Sequence, residues 1–386
     1  MTIAPDSIGP ASGSTPAPPI EPASASVSAY CRAVLPRVSR TFALNIRLLS
    51  GSMGEAVRIG YLLCRIADTI EDDWPGDRRE VERRFDQLLA ALADPPGEAE
   101  ALAAGAPALA GRANAAHVEL VSQTPVVFRA LAGLPAADRA DVTEAVTTLA
   151  TGMRRYAGRA AERRAAAGAS AGDGAALFPY LEDDAELKDY CWIVAGCVGV
   201  MLTRLFARRA QPSPRDAARL TLAPAVGEGL QLTNILLDWP DDVRAGRCHV
   251  PAAWLNELGL KPVDLVGAAR PEVQVLARRL ESRARAALGR VPEYLATIPA
   301  RYGRYRMFCL WPALWAAASL RHAGRDPAFP WGPERPRLPK AELWSIAAAA
   351  LARGHSAAGI AALYRGLGAE SREPLQNGSN LKPKSR

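Results

Sequence analysis

The chain has 386 residues, 49% hydrophobic and 23% charged, which is ample for a large buried core. Its formal net charge of +7 comes from arginines scattered along the sequence without interleaved aromatics. That pattern excludes a nucleic-acid surface and suits an anionic small substrate or an anionic membrane surface. The six cysteines (Cys31, Cys64, Cys191, Cys197, Cys248, Cys309) form no C-x-x-C, so they read as reduced core residues of a cytoplasmic protein.

Residues 1–26 are mostly Pro, Ala, Ser and Gly, with few large apolar side chains, and are expected to be disordered, because they bury too little to offset ordering. They lack a basic stretch followed by an apolar one, which argues against a secretory signal. Residues 27–368 are expected to form one all-α domain and 369–386 a polar tail. Helical apolar spacing dominates, and strand-like alternation is scarce.

Val38–Leu49 predicts a helix opening with Ser39 and Arg40. After a short Ser-Gly turn, a second helix ends in Tyr61-Leu-Leu-Cys-Arg-Ile-Ala-Asp-Thr-Ile-Glu-Asp-Asp73. Tyr61, Arg65, Asp68 and Asp72 fall on one stripe, Leu62, Leu63, Ile66 and Ile70 on the other face, and Trp74-Pro75-Gly76 stops the helix just past the acids. A dense charged helix is expected to follow, then an Ala/Pro/Gly loop over 94–112. Thr124–Arg159 reads as two helices broken near Leu134-Pro135, and residues 154–174 as a mobile surface segment.

The run from Asp189 to Arg204 contains no charge between its ends and predicts a buried core helix too short to span a bilayer. Gly196 and Gly199 strip side chains from it, to admit either a long apolar ligand or a neighbouring helix. A second acidic helix follows at Gly229–Asp242, with Gln231, Asn234, Asp238 and Asp242 on one polar stripe. Beyond it, Val243–Pro251 is a basic turn able to reach phosphates, in which His249 reads as structural. The remaining helices include a proline kink at Phe308-Cys-Leu-Trp-Pro312.

One Asp-x-x-x-Asp helix usually means a solvated face. Two copies, each within a strongly apolar helix, point to one shared site. Carboxylates without a His/Cys set suit a hard cation such as Mg²⁺, which typically binds through one or two carboxylates and substrate phosphates. The sequence has no Walker loop and no G-x-G-x-x-G, so a diphosphate on an apolar chain fits better than a nucleotide.

Ser39-Arg-Thr-Phe42, Tyr61-x-x-x-Arg65-x-x-Asp68-Thr-Ile-Glu71-Asp72, Tyr190-Cys-x-x-Val-Ala-Gly196-x-Val-Gly199, Gln231-x-Thr-Asn234-Ile-x-x-Asp238-x-x-Asp-Asp242 and Phe308-Cys309-x-x-Pro312 follow one another in order. Over roughly residues 28–325 this series resembles the signatures of the squalene/phytoene synthases, and the Tyr190 segment is most similar to squalene synthases. The resemblance implies an isoprenoid-synthase-type helical bundle and head-to-head joining of two prenyl diphosphates. It implies Asp68, Glu71 and Asp72 as Mg²⁺ ligands on one side and Asp238 and Asp242 on the other. Arg40 and Arg65 would contact diphosphate or reductant, Tyr190 would assist ionisation or proton transfer, and Phe42 and Phe308 would face the carbocation. Ser39, Tyr61, Gln231 and Asn234 complete the implied substrate- and cofactor-binding set.

Squalene-forming members then use hydride from NADPH, whereas members that make phytoene or dehydrosqualene, or stop at the cyclopropyl diphosphate, do not. Here Leu237 stands where the family commonly has an arginine that helps hold the nicotinamide cofactor. Ala313 replaces a frequent glutamine, and no basic pair is evident beyond Pro312. The implied setting is cytoplasmic, with a peripheral contact at the inner membrane face for product release. A rival of another class is a non-catalytic prenyl-lipid binder or scaffold, which has no reason to retain five acids on two stripes.

Overall fold

The computed structural model describes residues 25–94, 97–166, 178–179, 181–244, 246–265, 270–326, 328–330 and 335–367, with only the backbone described for Arg40 and for residues 160–161, 163–166 and 178–179. The segments expected to be disordered or tail-like, 1–26 and 369–386, lie outside this set except for Ala25 and Ser26, which begin α1. The helices are α1 (Ala25–Val38), α2 (Arg40–Ile46), α3 (Gly51–Asp73), α4 (Arg78–Ala93), α5 (Gly97–Ala104), α6 (Ala115–Ser122), α7 (Thr124–Ala132) and α8 (Ala136–Ala166). After a two-residue strand β1 (Phe178–Pro179) come α9 (Asp184–Cys191), a π-helical turn over Trp192–Gly196, and α10 (Cys197–Ala207). Next are α11 (Asp216–Leu237), α12 (Trp239–Arg244), β2 (Arg247–Cys248), α13 (Ala252–Glu257), α14 (Pro271–Leu288) and α15 (Val291–Ala296). The last three are α16 (Gly303–Ala323), α17 (Lys340–Arg353) and α18 (Ala357–Gly366).

Two helices organise the rest. α3 packs on α8 and on α1, α6 and α7, while α11 packs on α14, α15 and α16, and α10 lies between the two groups against α3, α8 and α11. The expected apolar face of α3 is the buried one: Leu62, Leu63, Ile66 and Ile70 are fully buried, and the helix stops at Asp73 before Trp74. α2 is shorter than the Val38–Leu49 reading because Ser39 caps it, its hydroxyl accepting the Phe42 N–H at 3.3 Å.

Several expectations change. The stretch 94–112 is not a bare loop: it contains α5 and a 3₁₀ turn, whose Ala99, Leu102 and Leu109 are fully buried in the core. Alanine-rich segments that can bury a few side chains gain more as helix than as coil. The segment 154–174 is helical through Ala166, and 167–174 lies outside the described residues. The second acidic helix is interrupted at Asp238, where α11 ends and α12 begins. Pro240 has no N–H to offer the carbonyl of Leu236, so the ladder breaks there while the chain keeps helical dihedrals through Asp238.

The stretch Asp184–Ala207 is, by length and composition, long and apolar enough to cross a membrane, contrary to the shorter reading from its uncharged run. Half of its most apolar window is buried within the bundle, where it packs on α8 and α11, so the core-helix reading holds. Gly199 on this stretch serves helix packing, whereas a Cβ on Gly196 would meet the Trp192 ring of the same stretch. A Cβ on Gly199 would lie 2.6 Å from the Ala223 carbonyl oxygen of α11, and one on Gly227 of α11 would collide with the Ala195 carbonyl. Backbone meets backbone here, which only glycine permits.

Gly199→Ala is therefore expected to lower unfolding free energy by roughly 1–3 kcal/mol, the usual cost of overpacking. Urea denaturation measures it, and unchanged stability would mean α10 and α11 are not in backbone contact.

Candidate functional site

The two acidic stripes end at a common cleft, and a single guanidinium joins them. Arg247 Nη1 lies 3.1 Å from Asp72 Oδ1 at the end of α3, and its Nη2 lies 3.0 Å from Asp242 Oδ1 on α12. Arg247 also donates through Nε to the same Asp242 oxygen at 3.0 Å. Its backbone is held by a short parallel pairing in which Phe178 faces Arg247 and Pro179 faces Cys248. Arg247 belongs to the basic turn foreseen after the second acidic helix, and its reach is toward carboxylates.

Along α3 the residues form a relay. Arg65 donates to the Tyr61 hydroxyl at 3.0 Å and pairs with Asp68 at 3.2 Å. The ring of Phe42, itself exposed, lies 5.3 Å from that of Tyr61, bringing α2 to the cleft edge. α2 is anchored there by Asn45, a fully buried residue whose Nδ2 donates to the Phe308 carbonyl at 2.8 Å. Phe308 is buried and packs near Tyr305, and its role in this contact is through its backbone.

On the opposite wall, His249 connects two expected site residues. Its Nδ1 is 3.3 Å from Asp242 Oδ2 and its Nε2 is 3.3 Å from the Tyr190 hydroxyl. The Tyr190 ring also meets Tyr156 edge-on at 5.3 Å. His249, read from the sequence as structural, thus links Tyr190 to an acidic stripe. Arg335, in the extended segment after α16, pairs with Asp238 at 2.5 Å. The sequence reading missed it. The available signal was Arg335-Pro336-Arg337, a basic pair set between prolines beyond Pro312.

Other expected residues stand apart. Gln231 is half-buried and Asn234 exposed on α11, neither side chain bonded to the cleft acids among the described residues, Ser39 acts as the α2 cap, and the Arg40 side chain is not among the described groups. Leu237 is buried in the core, 4% exposed, so its side chain does not occupy the cleft where Asp238 meets Arg335. The acids are also less sequestered than buried stripes would be, with Asp72 exposed and Asp68, Glu71, Asp238 and Asp242 half-buried.

Electrostatics sort these acids. Burial pushes the Asp68 carboxyl up to about 6 against the pull of Arg65, and does the same for Asp238 against Arg335. Glu71 is raised well above the usual range, by burial first and then by Asp72 and Asp68. For Asp242 burial acts upward, but hydrogen bonds from His249 and Arg247 outweigh it and hold the group low. Burial therefore makes Asp68, Asp238 and Glu71 resist ionisation, while Asp242 is held ionised by its two neighbours.

These residues fit a hard cation. The donor set is all oxygen, and Glu71 Oε1 is buried without a hydrogen-bond partner among the described residues. No three of the described acidic, His or Cys side chains gather tightly enough to hold an ion alone. A cation taking part of its oxygens from a substrate diphosphate would need no such cluster.

Fold and cleft together define an α-helical isoprenoid-synthase-type bundle. A family model described as squalene/phytoene synthase matches residues 35–342, and the chain belongs to that family, whose members are transferases. It is 42% identical over 92 residues to a 15-cis-phytoene synthase of Enterobacter agglomerans, covering 24% of this chain and 29% of that protein. It is 29% identical over 224 residues to the squalene synthase of Schizosaccharomyces pombe, covering 57% and 43%. The matched stretches thus span less than half of those relatives' lengths. In structure the chain is similar to the complex of TcSQS with the ligand BPH1237, at TM-score 0.69 and 21% identity over 92% of this chain and 94% of that one. It is also similar to a dehydrosqualene synthase in complex with ligand, at TM-score 0.54 and 22% identity over 85% and 97%. At these identities the structural likeness is one of fold.

The buried position of Leu237 generates a prediction. Leu237→Arg places a guanidinium in the core, and an unpaired buried charge costs several kcal/mol. Thermal unfolding is expected to show a large loss of stability with no gain in nicotinamide use, and a stable variant with enhanced NADPH binding would contradict this placement.

Proposed function

We propose that this protein carries out the Mg²⁺-dependent head-to-head condensation of two prenyl diphosphates, two farnesyl diphosphates passing through presqualene diphosphate to squalene. The observation that carries the reading is Arg247, which bridges Asp72 and Asp242 and so brings both acidic stripes to one cleft. In this reading Asp68, Glu71 and Asp72 would hold Mg²⁺ on the α3 side, and Asp238 and Asp242 on the other. Mg²⁺, when bound, supplies charge neutralisation for departing diphosphate.

The chain's own residues do the rest. Arg65, Arg247 and Arg335 are each paired with an acid of the cleft and can exchange that acid for diphosphate oxygens, which guanidinium binds in forked fashion. His249 holds the Tyr190 hydroxyl at a fixed place beside the cleft, where it can give or take a proton as the departing group or the hydrocarbon requires. The exposed Phe42 ring and its neighbour Tyr61 offer π-faces to a developing carbocation.

The departure at Leu237 favours a second reading, in which the hydrocarbon leaves without reduction as phytoene, dehydrosqualene or presqualene diphosphate. Arg335 and Arg247 support the reductive reading, because they supply cations at the same end of α11 that a reductant phosphate could use.

Incubation with farnesyl diphosphate and Mg²⁺, with and without NADPH, followed by mass spectrometry of products, tests both. The expected result is squalene only with NADPH. Asp68→Asn and Asp238→Asn should each lower turnover roughly a hundredfold or more while leaving the protein folded, since each removes charge that stabilises the departing group. Accumulation of presqualene diphosphate despite NADPH would overturn the product, and full activity in either variant would overturn the two-sided clamp.

A further inference from the structure

Between α1, α2 and the first half of α3 lies a cavity of about 230 Å³ outside the acidic cleft. Its floor is apolar, made by Leu35, Ala43 and Ile46, all buried. Its walls carry three guanidiniums, Arg32 from α1, Arg47 from the end of α2 and Arg58 from α3. Some other arginines of this surface are paired with acids, as Arg37 is with Glu119 at 2.6 Å and Arg204 with Glu144 at 2.7 Å. Among the described residues Arg32, Arg47 and Arg58 make no such ion pair. The acid whose charge reaches Arg58 is Glu55, and its Oε1 is occupied by the Ser28 hydroxyl at 2.6 Å. Burial, and then the charge of Arg32, weaken the hold of Arg58 on its proton, so these two guanidiniums repel each other.

Three guanidiniums around an apolar floor, none of them in an ion pair among the described residues, leave positive charge for a ligand to compensate. A multi-oxygen anion would, because guanidiniums from three helices can each direct a fork at separate oxygens. The floor asks for carbon next to that anion. The volume is below the roughly 300–1,000 Å³ of pockets that enclose a drug-sized ligand, so it takes a head group and its first carbons and leaves a long tail outside.

We propose that the Arg32–Arg47–Arg58 cavity is a second anion site, which binds a phosphate or diphosphate group bearing an apolar chain. A free prenyl-type diphosphate and a phospholipid of a membrane surface share this chemistry. The site is independent of the condensation reading, since it uses none of the residues of the acidic cleft.

The test uses the full chain without divalent metal. Dodecyl phosphate below its micelle concentration is titrated by calorimetry, with inorganic phosphate for comparison, and sedimentation with phosphatidylglycerol vesicles is compared with phosphatidylcholine vesicles. Dodecyl phosphate is expected to bind more tightly than inorganic phosphate. Arg58→Gln and the exposed Arg32→Gln should each weaken it about tenfold, while Asp238→Asn leaves it unchanged. Loss of phosphatidylglycerol sedimentation in the same arginine variants identifies a membrane lipid as the source. Loss of dodecyl phosphate binding with vesicle behaviour unchanged identifies a free ligand. Equal binding by wild type and both arginine variants, or no binding by the wild type, overturns the proposal.

Discussion

Arg247 is the contact on which the cleft depends, because it lies between the ends of α3 and α12 and touches an acid on each. Without a cation at that point, Asp72 and Asp242 would face each other across a partly desolvated gap, where like charges repel. The residue is fixed from behind by the parallel pairing of Arg247 and Cys248 with Phe178 and Pro179, the one place where described strands pair. A two-residue strand contributes little stability by itself. Its consequence is positional, since it sets where a guanidinium meets two helices far apart in sequence.

The same cleft balances burial against charge in different ways for different acids. Asp242, with Arg247 on one oxygen and His249 on the other, is held ionised, while Asp68 and Asp238, each with a single arginine, are pushed up to about 6. Glu71 is the extreme, with a buried oxygen that no described group satisfies. Such unsatisfied groups are ordinarily costly and are retained where a ligand completes them. A structural protein would gain stability by replacing these acids with apolar residues.

Much of this was legible in the sequence, for a definite reason. The apolar face of α3 and its stop at Trp74 follow from local periodicity, and so do the acids on its opposite stripe. The ordered series of motifs carried the fold and the family. Contacts that depend on distant segments were not legible. His249 lies between Tyr190 and Asp242 only because α9 and the turn after α12 meet, and Arg335 reaches Asp238 from a proline-flanked segment with no periodicity to read. The burial of Leu237 was not legible either, since its neighbour in sequence, Asp238, meets Arg335 while Leu237 itself is buried in the core. Gly199 of α10 was ambiguous in the sequence, because a missing side chain does not say what approaches it, and it is the Ala223 carbonyl of α11 that does.

The central claim is that α3 and the α11–α12 junction act on one bound group. A crystal structure with Mg²⁺ and farnesyl thiodiphosphate, whose sulfur linkage resists ionisation, tests it most directly. The account predicts metal ions coordinated both by the diphosphate and by carboxylates from each stripe, Asp68 or Asp72 on one side and Asp238 or Asp242 on the other, with Arg247 turned from at least one acid toward phosphate oxygens. A diphosphate held by one stripe alone, with Arg247 still spanning Asp72 and Asp242, would contradict it.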